Sequence, residues 1–158
     1  MSGKRDFQRS RVYDWENRVV APRDRTTIEF AAAQPMVDAI WSDMDLRYPP
    51  AVERSSRRAT TTIASANRLS LSLPGRTPAW CLLHEIAHSM NSTNDDSHSD
   101  GHGPVFMGLY VRMLVRYLRF DEVCLLASLR GAGISIARGA GPVFLDPLRR
   151  VRRHVEML

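Results

Sequence analysis

The chain has 158 residues, 44% of them hydrophobic and 25% charged, and a formal net charge of +5. That length predicts one domain with its own core, spanning 1–158, and that balance excludes a disordered or low-complexity chain. No apolar run approaches the roughly 20 residues that span a bilayer, and residues 1–6 hold no apolar signal core, so a cytoplasmic protein without a membrane partner is expected.

Residues 8–20 carry Val12, Trp15 and Val19 at helical spacing, which predicts a short amphipathic helix. Its neighbours Arg5, Arg9 and Arg11 are expected in water or paired with Asp6, Asp14 and Glu16; contact with an acidic partner is the alternative. Residues 26–30 suit a short edge strand. Met36, Val37, Ile40, Trp41 and Met44 predict a helix over 34–46, with Pro35 in its first turn and Tyr48-Pro49-Pro50 as its stop. Asp38, Asp43 and Asp45 then fall on its solvated face. Residues 60–65 and 68–73 are β-prone, and Leu69, Leu71 and Leu73 alternate with polar residues. With Ala66-Asn67 as the turn, they predict an antiparallel hairpin.

The next segment carries the chemistry. Thr77 suits an N-cap and Pro78 a first helical position. Leu82, Leu83, Ile86, Ala87 and Met90 form an apolar stripe, so a helix is expected through Met90. Within it lies His84-Glu85-Ile86-Ala87-His88. Two histidines four residues apart project from one helical face and can reach one metal ion. Glu85 lies about 100° round from His84, where it can hold a water beside the metal without ligating it. A catalytic zinc site takes three protein ligands and leaves a position for water, so a third ligand is needed downstream. The metzincin pattern would require Gly at 91 and His at 94, but the chain has Asn91 and Asn94. His102 is the leading candidate, flanked by Gly101 and Gly103; His98 and Asp100 are its rivals. Asp95, Asp96, Asp100 and Asp121 are the candidates for orienting the imidazoles.

After Pro104, the run Val105, Phe106, Leu109, Tyr110, Met113, Leu114, Tyr117 and Leu118 predicts a core helix over 104–118. Tyr110 is read there as packing, with an oxyanion contact as the alternative. Asp121 suits the N-cap of another helix, ended by Gly131-Ala132-Gly133. From about residue 142 the chain becomes a basic tail. Arg149, Arg150, Arg152 and Arg153 there either face solvent from a docked helix or contact a nucleic-acid backbone.

The segment His84-Glu85-Ile86-Ala87-His88, a polar loop, and then Asp100-Gly101-His102-Gly103-Pro104-Val105-Phe106 resembles the zinc site of SprT/Spartan-type metalloproteases. The resemblance covers roughly 77–110. It implies zinc bound by His84, His88 and His102, with Glu85 as the catalytic base, on an α+β zincin-like domain. Residues 5–16, with the chain length, are also similar to a family of small HExxH proteins of actinobacteria and their phages, read as metallohydrolases. A genome rich in G and C would suit the alanine content and the arginine bias, Lys4 being the sole lysine. The two cysteines, Cys81 and Cys124, form no Cys-x-x-Cys pair, so the zinc ribbon of many SprT-type proteins is missing.

The resulting expectation is a zinc-dependent peptidase acting on a protein or peptide, its substrate aligned along a strand near residues 68–73. The alternatives are another amide hydrolase, or a nucleic-acid-associated module with a structural zinc and the arginine-rich tail.

Overall fold

Helix α1 (Arg9–Trp15) opens the fold, and its apolar residues Val12 and Trp15 are fully buried. The structure is a computed structural model, and it describes residues 6–56, 64–93 and 99–144. The expected single helix over 8–20 changes character halfway. Glu16–Val20 form a π-helical turn, closed by the Ala21 amide donating to the Glu16 carbonyl at 2.8 Å. Such wide turns are rare and recur at functional sites. Here the turn directs Glu16 inward, although it is a carboxylate.

Strand β1 (Thr27–Glu29) is the short strand expected, and it leads directly into α2 (Phe30–Asp43). α2 starts earlier than predicted and contains Pro35 in its interior; Ala33, Val37, Ile40 and Trp41 are its buried face. Gln34 fastens it to the next strand, donating to the Pro50 carbonyl at 3.1 Å and accepting from the Val52 amide at 2.7 Å. Asp43 does more than face water. It accepts from the Tyr117 hydroxyl at 2.5 Å and pairs with Arg116 at 2.8 Å, which ties α2 to a later helix.

Two small sheets follow. Strands β2 (Ala51–Arg54), β3 (Ser65–Ala66) and β4 (Ser70–Leu73) run in the order β2-β4-β3, and β5 (Arg76–Pro78) pairs antiparallel with β1. The predicted hairpin exists as the β3–β4 pair, Ser65 opposite Ser72 and Ala66 opposite Leu71; its residues 60–63 lie outside the described residues. Leu71 and Leu73 point into the core, whereas Leu69 is 60% exposed because it precedes the strand. β4 also pairs in parallel with β2 along Ser70–Leu73. It is therefore a central strand, and its edges are taken where a substrate backbone was expected to align. Thr77 caps no helix. It sits in β5 opposite Ile28, and α3 (Ala79–Met90) begins after Pro78.

α3 buries all five predicted stripe residues and packs against α4 (Pro104–Leu118), whose bounds are those predicted. Asp121 caps α5 (Glu122–Gly131) as expected, accepting from the Cys124 amide at 2.8 Å. The chain then turns back. Ala137 donates to the Pro104 carbonyl and Val143 to the Met90 carbonyl, so residues 134–144 cover α3 and α4. The architecture is a mixed α+β arrangement, with helices around a core that joins Trp15, Trp41, Leu71, Ile86 and Phe106. Among the described residues, no helix is long and apolar enough to cross a membrane.

Candidate metal centre

His84 and His88 leave α3 from one face, and His102 reaches them from the turn before α4. The Nε2 atoms of the three rings form a triangle of 3.0, 3.1 and 3.3 Å. A tetrahedral site with metal–nitrogen bonds of 2.0–2.1 Å has nitrogen–nitrogen edges of about 3.3–3.4 Å, so the triangle is close to one face of such a site. His84 and His102 are buried, and His88 lies partly open. The three imidazoles together can hold a metal ion.

The hydrogen bonding on the far side of the rings strengthens the assignment. His84 Nδ1 lies 2.7 Å from Glu16 Oε2, and His102 Nδ1 lies 2.6 Å from Asp6 Oδ2. Each carboxylate accepts the Nδ1 proton, which leaves Nε2 of that ring facing the triangle. Lone pairs directed at one another across about 3 Å repel unless a cation lies among them. Burial first, and the neighbouring His102 second, hold His84 down at about 3. Burial, then His84 and His102, keep His88 well below the usual histidine range. Both rings are thus neutral near pH 7, as metal ligands must be.

Neither carboxylate was among those expected to orient the rings. Asp95 and Asp96 lie outside the described residues, as does the rival ligand His98. Asp121 serves α5. Asp100 is neither ligand nor ring partner. Its Oδ2 accepts from the Val105 amide at 2.7 Å and its Oδ1 from Asn91 Nδ2 at 2.7 Å, so it satisfies an open amide at the start of α4 and joins that start to the end of α3. The glycines beside His102 now have a definite reason. A Cβ on Gly101 would lie 2.7 Å from Asp6 Oδ2, and Gly101 has φ +65°. A Cβ on Gly103 would lie 2.6 Å from the Asp100 carboxylate. The glycines make room for two carboxylates, not for the metal itself.

The N-terminal segment therefore builds the site from a distance. Besides Asp6 and Glu16 it supplies Gln8, which donates to the carbonyls of His102 (3.0 Å) and Ser135 (3.1 Å) and accepts from the Ser135 amide (2.7 Å). Sequence reading paired Asp6, Asp14 and Glu16 with Arg5, Arg9 or Arg11; instead Asp6 and Glu16 turn to the histidines, and Asp14 pairs with Arg18 at 2.9 Å. Tyr110 is fully buried, and its hydroxyl donates to Glu16 Oε2 at 2.8 Å, so it supports Glu16 and has no route to a substrate oxyanion. Phe106 forms the floor, stacked on His88 with ring centres 4.4 Å apart. The helical spacing in residues 8–20 carried one signal of this: Glu16 sits four residues after Val12, on the inward stripe.

Glu85 follows His84 on α3 and is buried, with Oε2 lacking a hydrogen-bond partner among the described residues. Burial, then the charge of Glu16, push its carboxyl up to about 8. Burial likewise pushes Glu16 up to about 7 against the lowering effect of the Tyr110 hydroxyl. A buried carboxyl oxygen without a partner, on the residue that follows one of three converging imidazoles, suits a site completed by a cation and a water.

These shifts predict how the metal-free protein responds to pH. The two histidines are held below 6.5, so their contribution to stability is complete above 6.5 and is lost as pH falls. Glu16 and Glu85 are raised above 4.5, so their contribution is complete below 4.5 and is lost as pH rises through about 7 and 8. Between 4.5 and 6.5 the two effects oppose each other. Above 6.5 the two carboxyls still titrate, whereas His84 and His88 do not. The melting temperature in a chelator should therefore fall between pH 6.5 and 8, and excess zinc should remove the fall by favouring ionised Glu85. Calorimetry at both pH values, with and without zinc, checks this; a metal-free melting temperature that rises over that interval refutes it.

No family model, curated protein or solved structure matches the chain.

Proposed function

We propose that the chain is a zinc-dependent hydrolase, a peptidase on a zincin-like domain, with His84, His88 and His102 as the zinc ligands and Glu85 as general base. The observation that carries the reading is the convergence of three imidazoles, two of them held by buried or half-buried carboxylates, with, on the residue after His84, a buried glutamate oxygen that lacks a partner among the described residues. Among the described residues three histidines converge, which leaves a fourth position for water, as in a reactive site rather than a closed structural one. The all-imidazole donor set and the near-tetrahedral spacing favour zinc. The SprT-like order of the motif supports a peptide as substrate.

When bound, zinc would supply a Lewis acid that lowers the pKa of water toward about 7 and polarises a carbonyl. Glu85 takes the proton of the attacking water on its free oxygen and passes it to the leaving amine. Burial raises the basicity of Glu85 for that task. Glu16 and Asp6 hold the Nδ1 protons, so His84 and His102 present Nε2 in one tautomer throughout. Phe106 excludes water from beneath the rings.

Elemental analysis of protein purified without added metal should find about one zinc per chain. Hydrolysis of an unfolded protein such as casein should stop on chelation and return with zinc. Folded protein that takes up no zinc from a buffered excess would sink the proposal.

A further inference from the structure

The N-terminal helix carries a second feature at the same centre, and it bears on which substrates the site accepts. Arg9, Tyr13 and Glu16 lie at spacings of four and three, on one face of the helix and the turn that continues it. Glu16 points inward to His84. Tyr13, 40% exposed, lies outside it as a wall, stacked against His84 with ring centres 6.1 Å apart and edge-on to His102 at 5.0 Å. Arg9 lies over the outer part of that wall, its guanidinium carbon 5.6 Å from the Tyr13 ring centre. Two successive contacts thus link a guanidinium to a metal-ligand ring. Among the described residues, Arg9 has no ion-pair partner, whereas Arg18, Arg76, Arg116 and Arg138 all have one.

An exposed cation without a partner is ordinary on a basic surface. This one is held by an aromatic platform that itself contacts two of the three converging imidazoles. A planar guanidinium in that position can accept a carboxylate through paired hydrogen bonds.

We infer that Arg9, seated on Tyr13, is a specificity-determining residue that binds a carboxylate of the substrate near the scissile bond. The inference rests on the hydrolase reading and adds a substrate class to it: peptides with an acidic side chain or a terminal carboxylate next to the cleaved amide. Arg9 acts in binding, and bond cleavage stays with the metal centre and Glu85.

The test uses zinc-loaded protein and two zinc-binding probes of equal shape, N-hydroxysuccinamic acid, which has a free carboxylate, and its neutral amide, N-hydroxysuccinamide. Binding constants come from calorimetry. The zinc charge itself favours the acid, so the informative quantity is the change in the acid-to-amide ratio on mutation. Arg9→Ala should lower that ratio about five- to tenfold and Arg9→Glu further, with zinc content and melting temperature unchanged. Tyr13→Phe, which keeps the platform, should retain the ratio, and Tyr13→Ala should lose part of it. A ratio that is the same in wild type, Arg9→Ala and Arg9→Glu overturns the inference and leaves the hydrolase reading intact. If neither probe binds zinc-loaded wild type, there is no open coordination position, and the hydrolase reading falls together with the inference.

Discussion

Glu85→Gln should lower peptide hydrolysis by about 10²–10⁴-fold while zinc content stays at the wild-type level. Gln has the shape of Glu and fits the same buried place on α3, but it cannot take a proton from water. Because Glu85 is not one of the three converging nitrogens' owners, its loss leaves the metal ligands complete. The substitution also removes a buried carboxyl that burial and Glu16 hold at about 8. The metal-free variant should therefore melt no lower than wild type at pH 8, where the wild-type group is forced to ionise. That second readout separates loss of the base from loss of the fold. Single-turnover hydrolysis with elemental analysis on the same samples decides it: full activity in a zinc-replete Glu85→Gln protein would remove Glu85 from the mechanism.

The part of the site carried by local pattern was legible in the sequence. His84 and His88 are related by helical spacing, and His102 by its place before a proline-started helix; periodicity and turn chemistry give both. The apolar stripe of α3 and the bounds of α4 follow from the same rule. What pattern could not give was the long-range half. Asp6 and Glu16 are 96 and 68 residues from the rings they orient. In the sequence each stands beside arginines, and a local charge pair is the simplest reading of a carboxylate in a basic helix. Glu16 stands one helical turn after the inward Val12, but the π turn that carries it there has no sequence signature of its own. Thr77 failed for a related reason: its capping preference yields to pairing with Ile28, a contact made 49 positions upstream in the chain. The sheet order was hidden as well, because alternation in 68–73 fixes which residues face the core and not which strands lie on either side.

Glu16→Gln should weaken zinc binding about 10–100-fold, and more than Asp6→Asn does. Glu16 Oε2 receives two donors, His84 Nδ1 and the Tyr110 hydroxyl, in a side chain only 3% exposed. Gln can place its one oxygen where Oε2 accepts both donors, but it carries no charge. His84 then loses the negative charge that holds its Nδ1 proton and makes its Nε2 a better donor to a cation. Asp6 is 26% exposed, so water can replace part of what Asn fails to supply to His102 Nδ1. The order of effects thus follows from burial, although the two hydrogen bonds are almost the same length. Glu16→Ala should go further and reduce stability by about 2–5 kcal/mol, since it leaves a ring N–H and a phenol unpartnered around a new cavity. Competition against a chromophoric chelator gives the affinities, and urea denaturation of the metal-free proteins gives the stabilities. Equal zinc affinity in wild type and Glu16→Gln would mean that α3 and the 100–104 turn alone fix the imidazoles, and that the N-terminal helix only covers a site already formed.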